Sequence, residues 1–194
     1  MQTRRINSWS KCRWASCTST GLRNRWCPQA ELLEGKFRGQ TQISRRREIP
    51  KICQELSVKQ ADVIVFLTDS NVNPWREVKK GDADKCPTDY RNLSVFGVCL
   101  RNPECWLSAD ADHIANHFGR NPGEFRVEDP KGIVESCFGV TRLDKKEREI
   151  ADFVSAAPIR RWLSNPSFED FFDQLWQKSK ELGCHIENLR QPQP

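Results

Sequence analysis

Two short apolar runs in this 194-residue chain each lead into an acidic residue that could bind a metal ion. The run at 63–67 (VIVFL) ends next to Thr68-Asp69, and the run at 94–100 (SVFGVCL) is followed by Glu104. Runs of this length, rich in Val and Ile, are typical of strands buried on both faces. Open α/β sheets place their chemistry at the carboxyl ends of their strands. The sequence therefore predicts two carboxylates at one sheet edge, where they could bind a divalent cation.

Asn71 could assist at the same site. It follows Asp69 by two residues, so its amide oxygen would lie on the same side as the carboxylate if the chain stays extended, and amide oxygens also bind Mg²⁺. The alternative is that Asp69 caps the next turn and Asn71 is an ordinary turn residue. Glu104 could equally be a general base or a helix-start carboxylate that the helix dipole stabilises.

Glu34 and Arg38 form a third candidate group, after a predicted short strand at 30–33. Glu34 is followed by a glycine, which would let the backbone approach a phosphate. Arg38 and the run Arg45, Arg46 and Arg47 could hold phosphate oxygens. The alternative is a solvated hairpin.

Charge is spread unevenly along the chain. Residues 1–60 hold 13 Lys/Arg against 4 Asp/Glu, whereas residues 61–194 hold 18 against 22. A basic half beside an acidic half suits a protein that meets a polyanion on one face and holds a metal on another. A solvated surface with a basic tail would show the same composition.

Composition also bounds the class of protein. No apolar run approaches about 18 residues, so we expect no membrane-spanning helix, and the start of the chain lacks the apolar core of a secretory signal. Nine cysteines without a CxxC pair indicate reduced thiols in a cytoplasmic protein. Residues 1–28 show no sustained period and are predicted to be irregular, which leaves 29–194 as a single domain.

The elements that must position these residues alternate between strands and helices. A helix is predicted from near Ser44, or from Glu48 because Pro50 is unfavourable in a helix interior. After the second strand, we expect helices from Ser108 or Asp110 to Phe118, from an Asp144–Glu147 capping box to Val154, and at 158–163. The last helix is predicted to be capped by Ser167 and ended by Gly183. This order predicts a largely parallel sheet with a C-terminal helical cover.

Other motifs are weaker. His113 and His117 have a spacing that can hold zinc, but the zincin glutamate is missing and both are more simply helix residues. Cys12, Cys17 and Cys27 match no zinc module well. The chain contains no P-loop, GxSxG or GxGxxG motif.

The stretch from Glu31 to Phe118 resembles a family of uncharacterised bacterial proteins related to the Toprim domain. The resemblance rests on ELLEGKFRGQ, REIPKICQEL, ADVIVFLTDSNVNPWREV and SVFGVCLRNPECWLSAD. It implies a compact Rossmann-like α/β fold, as in topoisomerases, primases and overcoming-lysogenization-defect nucleases, with acidic residues that bind Mg²⁺ (or Mn²⁺). Such relatives are often encoded near phage-defence ATPases, which implies a nuclease or effector role with an ATPase as a candidate partner.

The resemblance assigns Asp69 to the first acid of the Toprim Asp-x-Asp motif and places Asn71 where the second acid belongs. Glu104 matches the acid of a Glu-x-Trp motif after the next strand. Glu34 looks similar to the glutamate after the first Toprim strand, although its spacing to Asp69 is short, at 35 residues. An asparagine at the second position removes one negative charge and would weaken Mg²⁺ binding.

We therefore expect an α/β, Toprim-like Rossmannoid domain with a central, largely parallel sheet and C-terminal helices. The expected function is Mg²⁺-dependent cleavage of DNA or RNA, with Asp69, Glu104 and Glu34 as catalytic acids and the arginines on the nucleic-acid backbone. One alternative is a catalytically degenerate interaction module that partners an ATPase or another effector. Another is a PD-(D/E)xK-like nuclease, which the Cys105-Trp106 pair after Glu104 disfavours.

Overall fold

The computed structural model describes residues 42–58, 61–140 and 146–182, with the side chains of 42–45 and 147 outside the description. The segment 1–28, the strand predicted at 30–33 and the helix end predicted at Gly183 lie outside the described residues. No helix in the described ranges combines the length and hydropathy that crossing a bilayer requires.

Two parallel strands form the sheet of the described chain. β1 (Ile64–Asp69) pairs with β2 (Ser94–Cys99), and the register sets Asp69 opposite Cys99. Both strands lie where the apolar runs predict them. β2 is buried at all six positions, as expected for a strand covered on both faces, whereas β1 alternates between buried and half-buried residues. The predicted α/β class and the parallel pairing are confirmed.

The helix α1 (Gln42–Val58) covers one face of the sheet. Its buried side chains repeat at helical spacing and form a core with β1 and β2; they are Ile49, Ile52, Cys53 and Leu56. On the sheet side of this core, Phe66 and Phe96 stack with ring centroids 5.1 Å apart. α1 begins at Gln42, which agrees with the start expected near Ser44; the alternative start at Glu48 is wrong, and Pro50 lies inside the helix. The packing of the apolar stripe outweighs the backbone hydrogen bond that a proline cannot donate.

The connection between the strands, residues 70–93, contains two helices. α2 (Trp75–Ala83) and α3 (Thr88–Arg91) link β1 to β2. Trp75 and Val78 pack against Val98, and Cys86, between the two helices, joins the core of α1. α1, α2 and α3 therefore share one face of the sheet.

The other face is covered by the helices that follow β2. These are α4 (Glu104–Leu107), α5 (Ala111–Phe118), a 3-10 helix (Pro122–Phe125), α6 (Lys131–Cys137), α7 (Glu147–Ala156), α8 (Ile159–Trp162) and α9 (Pro166–Glu181). Their core is aromatic, with the ring of Trp106 at 5.2 Å from those of both Phe168 and Phe171. The predicted C-terminal helices thus form the second layer of the core.

Gly97 allows α9 to lie close to β2. A Cβ atom at this position would be 2.4 Å from Leu67 Cδ2 and 2.7 Å from Phe171 Cδ2. Both distances are far below van der Waals contact, so the helix and the neighbouring strand occupy the space that a side chain would need.

α9 also closes the outer edge of β2. Gln174 accepts a hydrogen bond from Phe96 N (3.0 Å) and donates one to Phe96 O (3.0 Å), so its amide takes the place of a neighbouring strand. Ser167 Oγ accepts hydrogen bonds from Leu100 N at 3.0 Å and Trp106 Nε1 at 2.8 Å. Side chains of one helix therefore satisfy backbone groups that would otherwise form an exposed edge.

Two helix starts differ from the predictions. α9 is capped by Asn165, whose Oδ1 accepts hydrogen bonds from Ser167 N (3.1 Å) and Phe168 N (3.3 Å). Ser167 does not cap because its hydroxyl is buried against the sheet edge. α7 begins after Lys146, so the helix does not open on the predicted capping box at Asp144, a residue outside the described ranges. The predicted start of α5 is confirmed, with Asp110 as its cap.

Candidate metal site at the strand ends

Asp69 is the last residue of β1 and lies at the carboxyl edge of the sheet. The residue is half-buried, but its Oδ1 atom is shielded from solvent and makes no hydrogen bond within the described residues. A buried carboxylate oxygen without a donor is unfavourable by roughly 1–3 kcal/mol. The alternative that Asp69 caps the next turn leaves this oxygen unexplained, because a capping oxygen accepts a backbone hydrogen bond.

The ends of the two strands are locked together just beyond the ladder. Ser70 is fully buried; its N–H donates to Cys99 O at 3.1 Å, and its Oγ accepts from Arg101 N at 2.8 Å. Asn71 N then donates to Arg101 O at 2.8 Å. These bonds hold the residues after Asp69 against the residues after β2, so the two predicted acidic segments share one rigid edge.

The backbone bends sharply after each of the two strands. Asn71 (φ 52°) and Arg101 (φ 60°) have left-handed backbone conformations. Asparagine adopts this conformation readily, but for arginine it costs roughly 1–2 kcal/mol. Strained backbone of this kind concentrates at functional sites.

Asn71 does not continue the direction of β1. The expectation that it lies on the same side as Asp69 required an extended chain, and the strand ends before Asn71, which is exposed. That geometric premise is wrong, because the turn over 70–73 takes the backbone out of the strand. Binding of a metal ion by Asn71 stays a prediction.

Glu104 is the fifth residue after Cys99 and the first residue of α4. It is only 2% exposed, in a segment where Cys105, Trp106 and Leu107 are also buried. Burial raises the pKa of the Cys105 thiol, with the charges of Asp129 and Glu104 adding to the effect. Cys105 therefore stays protonated at neutral pH, and Glu104 is the group of this segment that suits a hard cation.

The carboxylates of Asp69 and Glu104 are the two metal-ligand candidates that the sequence predicts at the strand ends. Within the described residues, no group of three or more His, Cys, Asp or Glu side chains is arranged to hold an ion. Structural and catalytic zinc sites use three or four such ligands. Mg²⁺ keeps several waters and is commonly held by one or two carboxylates. Asp69 and Glu104 each carry the carboxylate oxygens that such an ion prefers as ligands.

The arginines predicted to bind nucleic acid fall into different positions. Arg46 Nε donates to Asp82 Oδ1 at 3.1 Å, and Asp82 is 2% exposed, so this guanidinium fixes α1 on α2 instead of projecting into solvent as expected. Arg47 is exposed on α1. The side chain of Arg45, together with Arg38 and the predicted acid Glu34, lies outside the described residues.

His113 and His117 are explained by packing. Both rings lie against Phe153, with centroid distances of 4.9 Å and 5.2 Å, and their own centroids are 6.4 Å apart. The described residues bring no third metal-binding side chain to them. The predicted zinc trio Cys12, Cys17 and Cys27 lies outside the described ranges.

Sequence reasoning missed the residues that build this edge. Ser70 and Arg101 lock the strand ends, and Gln174 and Ser167 close the outer edge of β2. A serine directly after a buried strand is a weak signal, since serine is common in turns. Arg101 gives no signal of its type, because it makes these bonds through its backbone, which any residue could supply. Comparisons with known proteins add no relative: no protein-family model matches the chain, and neither do any curated protein or solved structure.

Proposed function

We propose that this chain is a Toprim-like protein that cleaves phosphodiester bonds of DNA or RNA with Mg²⁺, held by Asp69 and Glu104. The observation that carries the proposal is the Oδ1 atom of Asp69, which is shielded from solvent and lacks a hydrogen bond within the described residues. It lies at the carboxyl end of a parallel strand, where α/β folds bind ligands. A divalent cation would supply the partner that this oxygen lacks.

The chain's own groups would position the reaction. Asp69 and Glu104 would fix the ion at the edge that Ser70 and Arg101 make rigid. When bound, Mg²⁺ would polarise the scissile phosphate and lower the pKa of a bound water. Mn²⁺ favours the same oxygen ligands and would substitute for it. Asn71 and Glu34 are the further groups that the resemblance offers for this site.

Substrate would be held by basic residues of the N-terminal third. Arg38, Arg45 and Arg47 are the proposed phosphate contacts, whereas Arg46 would act indirectly by fixing α1 on α2 through Asp82. Contacts to phosphate alone make binding tolerant of sequence and sensitive to salt. We therefore propose that nucleic-acid binding shows a weak sequence preference and a steep dependence on salt concentration.

The test is to remove the charge of Asp69 and keep its shape. In wild-type protein, calorimetric titration should detect millimolar or tighter Mg²⁺ binding, Mg²⁺ should raise Tm, and supercoiled plasmid or single-stranded RNA should be cut. Asp69→Asn should lose all three responses. Its Tm without metal should equal or exceed that of the wild type, because a buried carboxylate without a donor is replaced by a neutral amide.

Asp152→Asn is the matched control, since Asp152 is an exposed carboxylate on α7. It should leave binding, Tm shift and cleavage unchanged. Retention of Mg²⁺ binding and cleavage in Asp69→Asn would refute the proposed site, and a folded wild-type protein that neither binds Mg²⁺ or Mn²⁺ nor cuts would refute the function.

A second candidate is a non-catalytic module that binds an ATPase or another effector. It is favoured by Asn71, an exposed neutral amide where Toprim enzymes have their second acid, on a backbone that leaves the strand direction. Absence of Mg²⁺ and Mn²⁺ binding together with an unchanged fold in Asp69→Asn would select this candidate over the enzyme.

A further inference from the structure

A cavity of about 280 Å³ lies at the carboxyl end of β2, next to the proposed metal site. It is bordered by the turn after β2, the start of α4 and the segment 125–130. Its lining residues are Leu100, Arg101, Cys105, Ser108, Phe125, Val127, Glu128, Pro130 and Asn165. Arg101 connects it to the strand ends, because its backbone is bonded to Ser70 and Asn71.

The cavity lining includes large apolar side chains that are open to water. Leu100 is 37% exposed and Val127 46% exposed, and they are two of the five large apolar residues that are exposed in the described chain. Phe125 lies beneath them and is buried. Apolar surface on a concave wall gains free energy when a flat apolar group covers it.

The lining also carries a cation whose present partner is easily replaced. The guanidinium of Arg101 forms an ion pair with Glu128, and the side chains are 33% and 82% exposed. Exposed ion pairs contribute about 0–1 kcal/mol, so a ligand anion could displace the Glu128 carboxylate. Among the described residues that line the cavity, Arg101 is the one cation.

Two other acids lie near this cation. Asp129 accepts hydrogen bonds from Asn102 Nδ2 at 3.0 Å and Lys131 N at 3.2 Å, which lower the pKa of its carboxyl. This carboxylate therefore already has its own partners. Glu104 is buried and belongs to the proposed metal site. A bound divalent cation would offset the negative charge of Glu104 and favour an anionic ligand in the adjoining cavity.

We propose that this cavity binds one nucleotide unit of the nucleic-acid substrate, with the base on Leu100 and Val127 and a phosphate on Arg101. The inference rests on the proposed function, which places a scissile phosphate at the neighbouring strand ends. The cavity volume of about 280 Å³ lies just below the range of about 300 to 1,000 Å³ for pockets of drug-sized ligands, so it would hold one nucleotide unit and leave part of it exposed. A base must be unstacked to enter, so the proposal selects single-stranded over duplex substrates.

The test is binding of adenosine 5′-monophosphate, with adenosine and inorganic phosphate as its separate halves, measured by calorimetry in EDTA and again in Mg²⁺. The nucleotide should bind more tightly than either half. Arg101→Asn should weaken nucleotide binding about tenfold, as expected for loss of a charge-assisted contact. Asparagine is chosen because it accepts the left-handed backbone of this position.

Glu128→Gln should have the opposite effect on nucleotide affinity. Removal of the competing carboxylate should strengthen nucleotide binding by about threefold, well under 1 kcal/mol, in line with an exposed ion pair. Val127→Ser should weaken binding of the nucleotide and of adenosine, and leave inorganic phosphate unchanged. Arg126→Gln is the matched control, because Arg126 is an exposed arginine beside the cavity that pairs with Asp112.

The outcomes separate this inference from the proposed function. Absence of nucleotide binding in both EDTA and Mg²⁺ would overturn the pocket, and so would equal effects of Arg101→Asn and Arg126→Gln on nucleotide binding. Either result would stand even if loss of Mg²⁺ binding in Asp69→Asn shows that the metal site exists. Nucleotide binding with the expected responses in a protein that binds no metal would support the pocket and refute the catalytic proposal alone.

Discussion

Gln174 offers a direct test of how α9 holds the sheet. Its Oε1 accepts from Phe96 N, and its Nε2 donates to Phe96 O, Asp170 O (3.1 Å) and Asp170 Oδ2 (2.9 Å). Asp170 in turn binds Lys79 Nζ of α2, at 2.7 Å to each carboxylate oxygen. A single side chain thus joins β2 to a polar network that spans two helices.

Gln174→Ala would leave the N–H and C=O of Phe96, a residue that is 6% exposed, without partners. Each unsatisfied buried group costs about 1–3 kcal/mol. Because water can enter the space that the side chain vacates, we expect a loss of about 3 kcal/mol in the free energy of unfolding. For a chain of this size, that corresponds to a fall in Tm of about 6–12 °C.

Urea denaturation followed by circular dichroism would measure this loss, with Gln177→Ala as the matched control on the same helix. Gln177 is exposed and, among the described residues, donates to Glu181 Oε1 alone, at 3.3 Å, so its removal should change stability by less than about 0.5 kcal/mol. Gln174→Glu should be at least as destabilising as Gln174→Ala, because it sets a carboxylate against Phe96 O and Asp170. Equal stabilities for Gln174→Ala and Gln177→Ala would refute the strand-substitute role of this amide.

Two further predictions concern the core. Gly97→Ala should destabilise the fold by about 1–3 kcal/mol through overpacking. Leu67→Ala should cost less stability in the Gly97→Ala background than alone, because the new methyl meets Leu67 Cδ2 at 2.4 Å. Additive losses of stability would show that the contact is unimportant. Burial raises the pKa of Cys53 from 9.0 to about 12, with the neighbouring Cys86 contributing. Its thiol ionises more easily in the unfolded chain, so its stabilising contribution is complete below about pH 9 and is lost as the pH rises toward 12. The stability of Cys53→Ala should decline less over that range, and parallel pH profiles would contradict the assignment.

Apolar patterning predicted the elements that it directly determines. The runs at β1 and β2 became strands, and the stripe of Ile49, Ile52, Cys53 and Leu56 became the buried side of α1. Periodicity depends only on neighbours along the chain, and these elements bury their apolar sides whichever partner covers them. The position of Asp69 at a strand end followed from the same pattern.

Contacts between distant residues could not be predicted in this way. Arg46 was expected on the helix surface, and its partner Asp82 is 36 residues away. Ser167 has the residue type of a helix cap, yet its hydroxyl is taken by Leu100 and Trp106, and Asn165 caps instead. In both cases a polar side chain has two suitable roles, and tertiary contacts select between them.

The closed outer edge of β2 restricts how this sheet can grow. In the ladder, Ile64 and Ser70 bond toward β2, so the backbone of Val65 and Leu67 faces the opposite side, where no strand pairs within the described residues. α1 packs on the same face as α2, so a right-handed crossover would bring a strand that precedes α1 to this side of β1. Any added strand, from this chain or another molecule, must therefore join beside the strand that carries Asp69. If it joins in parallel, its carboxyl end arrives next to the Asp69 carboxylate, so growth of the sheet would change the surroundings of the proposed metal site.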